Sequence, residues 1–150
     1  MNIAFSGSNG SIAKELIPSL EKLGYNIFRI SKSLKSDGKK IFSYEDLHSN
    51  SINIVIDIFV HTASLNSNLG KSNYNDEVVI SKDILRFMEF TKCKKIIFFS
   101  TCKVYGEPSM KSHTIFKETM LPNPSSYYGK AKLECEKIIQ SEYEKSGIHS

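Results

Sequence analysis

Short runs rich in β-branched and aromatic residues alternate along this chain with stretches whose apolar residues recur at helical spacing. Asn2 to Ser6 reads as a buried strand. Ser11 to Leu23 follows, with Ile12, Ala13, Leu16, Ile17, Leu20 and Leu23 on one stripe and Gly24 as a stop. Pro18 falls inside that helix, where a missing backbone donor allows a kink. Strand character returns at Asn26 to Ser31, Lys40 to Ser43 and Ile52 to His61. A second helix is expected from Asp76 to Thr91 on Val78, Ile80, Ile84, Leu85 and Met88. Lys95 to Ser100 is the most apolar strand, and a last helix is expected from Ser126 to Ser146, stopping at Gly147. Strands that lack polar alternation and are separated by helices imply a parallel sheet covered on both faces. Right-handed crossovers make it a doubly wound α/β fold, with a crevice at the strand C-termini where the order reverses. The polar stretches Leu65 to Asn75 and Gly106 to Ser125 would overhang that crevice.

Composition narrows the alternatives. A length of 150 residues is that of one domain, and 40% hydrophobic with 24% charged residues excludes a disordered chain. The longest apolar run, Ile54 to Val60, contains Asp57 and is too short to cross a bilayer. No basic stretch precedes an apolar one at the N-terminus, so no secretory leader is expected. Cys93, Cys102 and Cys135 lack metal-ligand spacing and suit a reduced cytoplasm. The net charge of +4 is spread over lysine clusters without interleaved aromatics, which reads as solvated surface rather than a nucleic-acid face.

Three motifs carry chemistry. Ser6-Gly7-Ser8-Asn9-Gly10-Ser11-Ile12-Ala13 is a GxxGxxA between a strand and a helix. Its glycines permit a tight turn and close backbone approach to a pyrophosphate, whose charge a helix N-terminus stabilises. Tyr128 and Lys132, at i and i+4, share one face of the last helix, where an ammonium would favour the phenolate. Ser100-Thr101-Cys102-Lys103-Val104-Tyr105-Gly106 places hydroxyls at the end of the apolar strand, facing the crevice.

Taken in order with His61-Thr62-Ala63-Ser64 and Pro124-x-Ser126-x-Tyr128-Gly-x-x-Lys132, these motifs resemble the extended short-chain dehydrogenase/reductases. More narrowly the chain is similar to the NAD(P)-dependent epimerase/dehydratase family, which acts largely on nucleotide sugars. The resemblance implies a Rossmann-type NAD(P)-binding domain over residues 1–150, in the cytoplasm, taking a dinucleotide and a nucleotide-sugar substrate, able to form a homodimer. It implies Tyr128 as acid/base in hydride transfer, Lys132 as the ribose-holding partner that lowers the tyrosine pKa, and Thr101 as the group orienting the reacting oxygen. Gly7, Asn9, Gly10, Ser11 and Ile12 would cradle the pyrophosphate, and Thr62, Ala63 and Ser64 would line the cofactor. Glu118 and Pro124 fit the approach to the tyrosine as structure.

Departures sharpen these expectations. Where NAD-preferring relatives carry an acidic residue after the second strand, this chain has Ser31 and Lys32, which favour NADP over NAD. Cys102-Lys103 stands where dehydratases carry Asp-Glu, which argues against 4,6-dehydration. The family's asparagine in the helix before the fifth strand appears as Glu77 or shifts to Asn75. Gly147 to Ser150 reads as entry into a sixth strand, so the sheet is expected to stop short, with the C-terminal substrate-binding region absent and catalysis incomplete. A non-catalytic NAD(P)-binding or regulatory module is the alternative function.

Overall fold

The computed structural model describes residues 1–48, 53–64, 72–107 and 115–146. Its strands are β1 (Asn2–Ser6), β2 (Asn26–Ile30), β3 (Ile41–Phe42), β4 (Ile58–His61) and β5 (Ile96–Phe98). Its helices are α1 (Ser11–Lys22), α2 (Ser72–Phe90) and α3 (Tyr127–Ser146), with short 3-10 turns at Asp46–His48 and Cys102–Tyr105. All pairings are parallel and the strand order is β3-β2-β1-β4-β5. The chain therefore moves outward from β1 on one side, then restarts beside β1 on the other. The order reverses between β1 and β4, where a doubly wound sheet opens its crevice. Register brings the strand ends level there, with Ser6 opposite both Ile30 and His61.

Strand residues are apolar on both faces because each face meets a different layer. Ile3, Phe5, Ile27 and Val60 pack against Ala13 and Ile17 of α1. Ala4, Phe28, Ile30 and Phe59 pack with Ile80, Ile84, Phe87 and Met88 of α2 and Ile139 of α3. Phe59 is wholly buried and meets the Phe87 ring edge-on at 5.8 Å between centroids. Burial of such a side chain contributes about 2–3 kcal/mol.

Several expected boundaries shift for nonlocal reasons. Of the α1 stripe only Ala13 and Ile17 are buried, while Ile12, Leu16 and Leu23 are exposed. β4 starts at Ile58, later than the expected Ile52, which itself lies outside the described residues. The segment before it hydrogen-bonds sideways: Asn2 N–H donates to Asp57, Asn2 Nδ2 to Val55 O, and Ile56 N–H to Thr91 O. α2 begins at Ser72, a turn ahead of the expected Asp76. β5 is less enclosed than its composition suggests: Ile96 is buried, but Ile97 is 51% exposed on the side that α1 covers elsewhere. The expected sixth strand and much of the two overhanging loops fall outside the described residues. No helix among the described residues is long and apolar enough to cross a membrane.

Phe59→Ala should lower the unfolding free energy by about 3–5 kcal/mol. Leu23→Ala, at a residue 73% exposed, should change it by less than about 0.5 kcal/mol. Urea denaturation of the two variants against the parent chain checks both.

Candidate functional site

The site begins where β1 gives way to α1. Gly10 N–H donates to Gly7 O at 2.8 Å, closing the turn, and Gly10 then serves as the extended N-cap of α1. No side chain caps that helix and its first turn holds no acidic residue, so the positive end of its dipole is left to a ligand or solvent. Beside it, Thr62 extends the β1–β4 pairing by donating to Ser6 O through both its backbone N–H (3.2 Å) and its hydroxyl (2.8 Å). Gly7 has φ +68°, and a Cβ there would lie 2.6 Å from both N and Cα of Ala63. Only glycine permits this approach of two backbones.

These two segments wall a cleft of about 200 Å³. Gly7, Asn9 and Gly10 line it from the turn, and Thr62, Ala63 and Ser64 from beyond β4. Ser31 and Lys32 line it from the end of β2. Ser31 is buried, and its hydroxyl accepts from Ser33 N–H at 3.2 Å, while Asn9 Nδ2 donates to Ser33 Oγ at 2.7 Å. Ser11 and Ile12 form the first turn of α1 with exposed side chains, so any contribution comes from their backbone N–H groups.

α3 reaches the cleft wall at Ala63 and Ser64. A Cβ at Gly129 would stand 2.6 Å from Lys103 O, which shows how tightly this helix seats on the Cys102–Tyr105 turn. Ser126 Oγ accepts from Gly129 N–H at 3.2 Å, supporting the start of α3. Tyr128 is half-buried, and its hydroxyl accepts from Ser64 Oγ at 3.4 Å. One turn on, Lys132 is 1% exposed. Its Nζ lies 2.7 Å from Glu77 Oε1 and 3.3 Å from Ala63 O, and 4.8 Å from the centre of the Phe98 ring. Thr101 is half-buried after β5, with its hydroxyl accepting from Lys103 N–H at 3.3 Å as the cap of the turn. Ser100, next to it, donates to Glu136 on α3.

Beneath the cleft lies a band of buried polar groups. His61 Nδ1 is 2.7 Å from Ser6 Oγ, and Nε2 is 3.4 Å from Ser81 Oγ. Burial, aided by the Lys132 charge, lowers the His61 pKa to about 3. Burial pushes the Tyr44 phenol up to about 12, opposed by hydrogen bonding to Gly7 and Ser6 and reinforced by the Glu77 charge. Burial likewise raises the Cys135 thiol. All three groups are therefore uncharged at neutral pH.

The sequence reading did not single out Tyr44, Ser81 or Glu136, and it took Ile80 only as part of the helical stripe. Tyr44 and Ile80 complete the cleft lining. Glu77 was noted only as a departure, although it stands at i−3, i−4 and i−7 from the buried Ile80, Ser81 and Ile84. A carboxylate in phase with a buried stripe is the signal that a partner waits there. Among the described residues no cluster of His, Cys, Asp and Glu could hold a metal.

Strand order, crossover and crevice define a Rossmann-type α/β domain. Residues 3–150 match the family described as the NAD dependent epimerase/dehydratase family, and the chain belongs to it. UDP-glucose 4-epimerase of Yersinia enterocolitica is 26% identical over 164 residues, covering 93% of this chain and 48% of that protein. The crystal structure of UDP-N-acetylglucosamine 4-epimerase from Bacillus cereus superposes with a TM-score of 0.78 at 24% identity, over 99% of this chain and 52% of that one. UDP-glucose 4-epimerase from Bifidobacterium longum, solved with NAD+ and UDP, gives 0.75 at 24% identity, over 97% of this chain and 50% of that one. The chain thus spans about half the length of these relatives.

Two measurements probe the site's construction. Gly7→Ala combines a left-handed φ with a backbone clash and should cost about 2–4 kcal/mol in urea unfolding. Because His61 is held neutral when folded, the unfolded chain takes up its proton first as pH falls. Its contribution to stability is complete above about pH 6.5 and is lost between there and about pH 3, at up to about 1.4 kcal/mol per pH unit. His61→Gln should flatten that part of the stability–pH curve measured by denaturant titration.

Proposed function

We propose that the chain is the dinucleotide-binding and acid/base portion of a nucleotide-sugar epimerase or related oxidoreductase. The observation that carries this reading is the joining of Tyr128 and Lys132 to the cleft through adjacent residues, Ser64 and Ala63. The residues present suit a dinucleotide. Gly7 and Gly10 leave bare backbone beside an uncapped helix N-terminus with no acid in its first turn, which favours a pyrophosphate. The neighbouring Bifidobacterium structure, solved with NAD+ and UDP, supports the same class of ligands.

On this reading Gly7, Asn9, Gly10, Ser11 and Ile12 hold the pyrophosphate, and Thr62, Ala63 and Ser64 border the nicotinamide half. The nicotinamide ring, when bound, supplies a hydride acceptor and donor. Tyr128 exchanges a proton between its hydroxyl and the sugar oxygen, Ser64 holds that hydroxyl, and Lys132 fixes the helix face against Ala63. Thr101 orients the reacting oxygen from the end of β5. Ser31, Lys32 and the Asn9–Ser33 bond make a hydroxyl-rich, cationic end of the cleft suited to a 2′-phosphate, so NADP is the preferred cofactor.

NADPH should therefore bind more tightly than NADH, and Lys32→Ala should remove most of the difference, as read by cofactor fluorescence titration. Equal affinities in the parent chain would dismiss the 2′-phosphate reading. With oxidised cofactor and UDP-glucose as the probe sugar, Tyr128→Phe should leave cofactor affinity within about twofold. In a version of the chain completed by a substrate-binding region, the same variant should slow hydride transfer, followed by absorbance at 340 nm, by about 100-fold or more. Undiminished transfer would refute the acid/base assignment.

A further inference from the structure

The proposed chemistry leaves His61 without a task, although it ends β4 directly before the Thr62–Ser64 segment and is 1% exposed. Its ring is held from three sides. Nδ1 lies 2.7 Å from Ser6 Oγ, and Nε2 lies 3.4 Å from Ser81 Oγ. The Phe98 ring stands against it at 5.2 Å between centroids. Turning the imidazole over would take both nitrogens away from these hydroxyls, which are themselves buried. Burial, aided by the Lys132 charge, keeps the ring neutral, with a pKa of about 3. A neutral imidazole carries one N–H, so one nitrogen donates and the other accepts.

Which nitrogen does which is set further along the same chain of hydrogen bonds. Ser81 also bonds the Cys135 sulfur, and Cys135 Sγ reaches Glu77 O at 3.7 Å. A backbone carbonyl only accepts. The Cys135 thiol therefore gives its proton to Glu77 O, and its sulfur takes the proton of Ser81. Ser81 Oγ is then left to accept from Nε2–H, and the bare Nδ1 accepts from the Ser6 hydroxyl. The bond lengths agree, since hydroxyls donate over shorter distances than ring N–H groups. Tyr44 also bonds Ser6, and with the Ser6 proton committed to His61 the phenol is the donor of that pair.

The bond from Ser6 matters to the glycine turn. Ser6 is wholly buried and immediately precedes Gly7. Thr62 holds its carbonyl with a backbone N–H and a hydroxyl, and His61 holds its side chain. Two consecutive residues at the end of β4 thus grip both the carbonyl and the hydroxyl from which the turn departs. We infer that His61 is a positioning residue, fixed as its Nε2–H tautomer, whose unprotonated Nδ1 anchors Ser6 at the root of the glycine turn. Its bearing on cofactor affinity rests on the dinucleotide reading and deepens it, whereas the tautomer is independent of that reading.

Long-range proton–nitrogen NMR correlation of the isotope-labelled full chain near neutral pH reads the tautomer, because a bare ring nitrogen resonates far downfield of a protonated one. The His61 signals, assigned by their loss in His61→Asn, should show a bare Nδ1 and a protonated Nε2. The opposite pattern, or two averaged nitrogens, would overturn the inference. Fluorescence titration with the tighter-binding reduced cofactor reads the positioning role. His61→Phe keeps a ring without nitrogens and should weaken binding about tenfold. His61→Asn returns an amide oxygen near the Nδ1 position and should recover most of that loss. His61→Gln reaches instead toward Ser81 and should not recover it. Equal affinity in the parent and all three variants would also overturn the positioning role. A parent chain that binds neither NADPH nor NADH would remove the proposed function, and the NMR pattern would still decide the tautomer.

Discussion

The close backbone contact between Gly7 and Ala63 is the constraint on which the site depends. It fixes the segment Thr62–Ser64 against the end of β1, and that segment then serves three neighbours. Thr62 prolongs the sheet pairing to Ser6, Ala63 O receives Lys132, and Ser64 reaches Tyr128. A displacement of a few tenths of an ångström at Gly7 would be passed through one short stretch of chain to both Lys132 and Tyr128. The parallel register, with Ser6 opposite His61, is what brings these strand ends level in the first place.

The ground beneath that contact is polar, and it includes the ion pair of Lys132 with Glu77. Ser6, His61 and Ser81 share hydrogen bonds across β1, β4 and α2. Such a network is costly only when left incomplete, and here each ring nitrogen of His61 has a hydroxyl within reach. Low dielectric strengthens the interaction between the formal charges of Lys132 and Glu77. The arrangement thereby ties α2 to α3 at the level of the cleft floor, in addition to the apolar packing of Ile84, Met88 and Ile139.

Local pattern was enough to read some parts and not others. The passage from Asn2 to Lys22 was legible because strand, glycine turn and helix are set by neighbouring residues. The family-like motifs around Thr62, Thr101 and Tyr128 were legible for the same reason. β4 was drawn too long because Ile52 to Asp57 has strand-like composition. From Val55 to Asp57 the backbone instead bonds to Asn2 and Thr91, which are distant in sequence. The α1 stripe likewise included Ile12 and Leu16, yet both are exposed, at 43% and 39%. In the site, Tyr44 was invisible because a lone tyrosine after a two-residue strand carries no periodic signal. Glu77 could be seen to be out of place, but its partner sits on another helix, and no spacing rule links the two.

The cysteines offer a practical handle. Cys93 and Cys135 are buried with thiols made less acidic, whereas Cys102 is exposed. Thiol reactivity follows thiolate fraction and access, so a maleimide should discriminate among the three without any being mutated. Cys102 directly follows Thr101, at the mouth of the crevice. A dye or spin label placed there would report from beside Thr101, the residue proposed to orient the reacting oxygen, while leaving the glycine turn, the Lys132–Glu77 pair and Tyr128 chemically untouched.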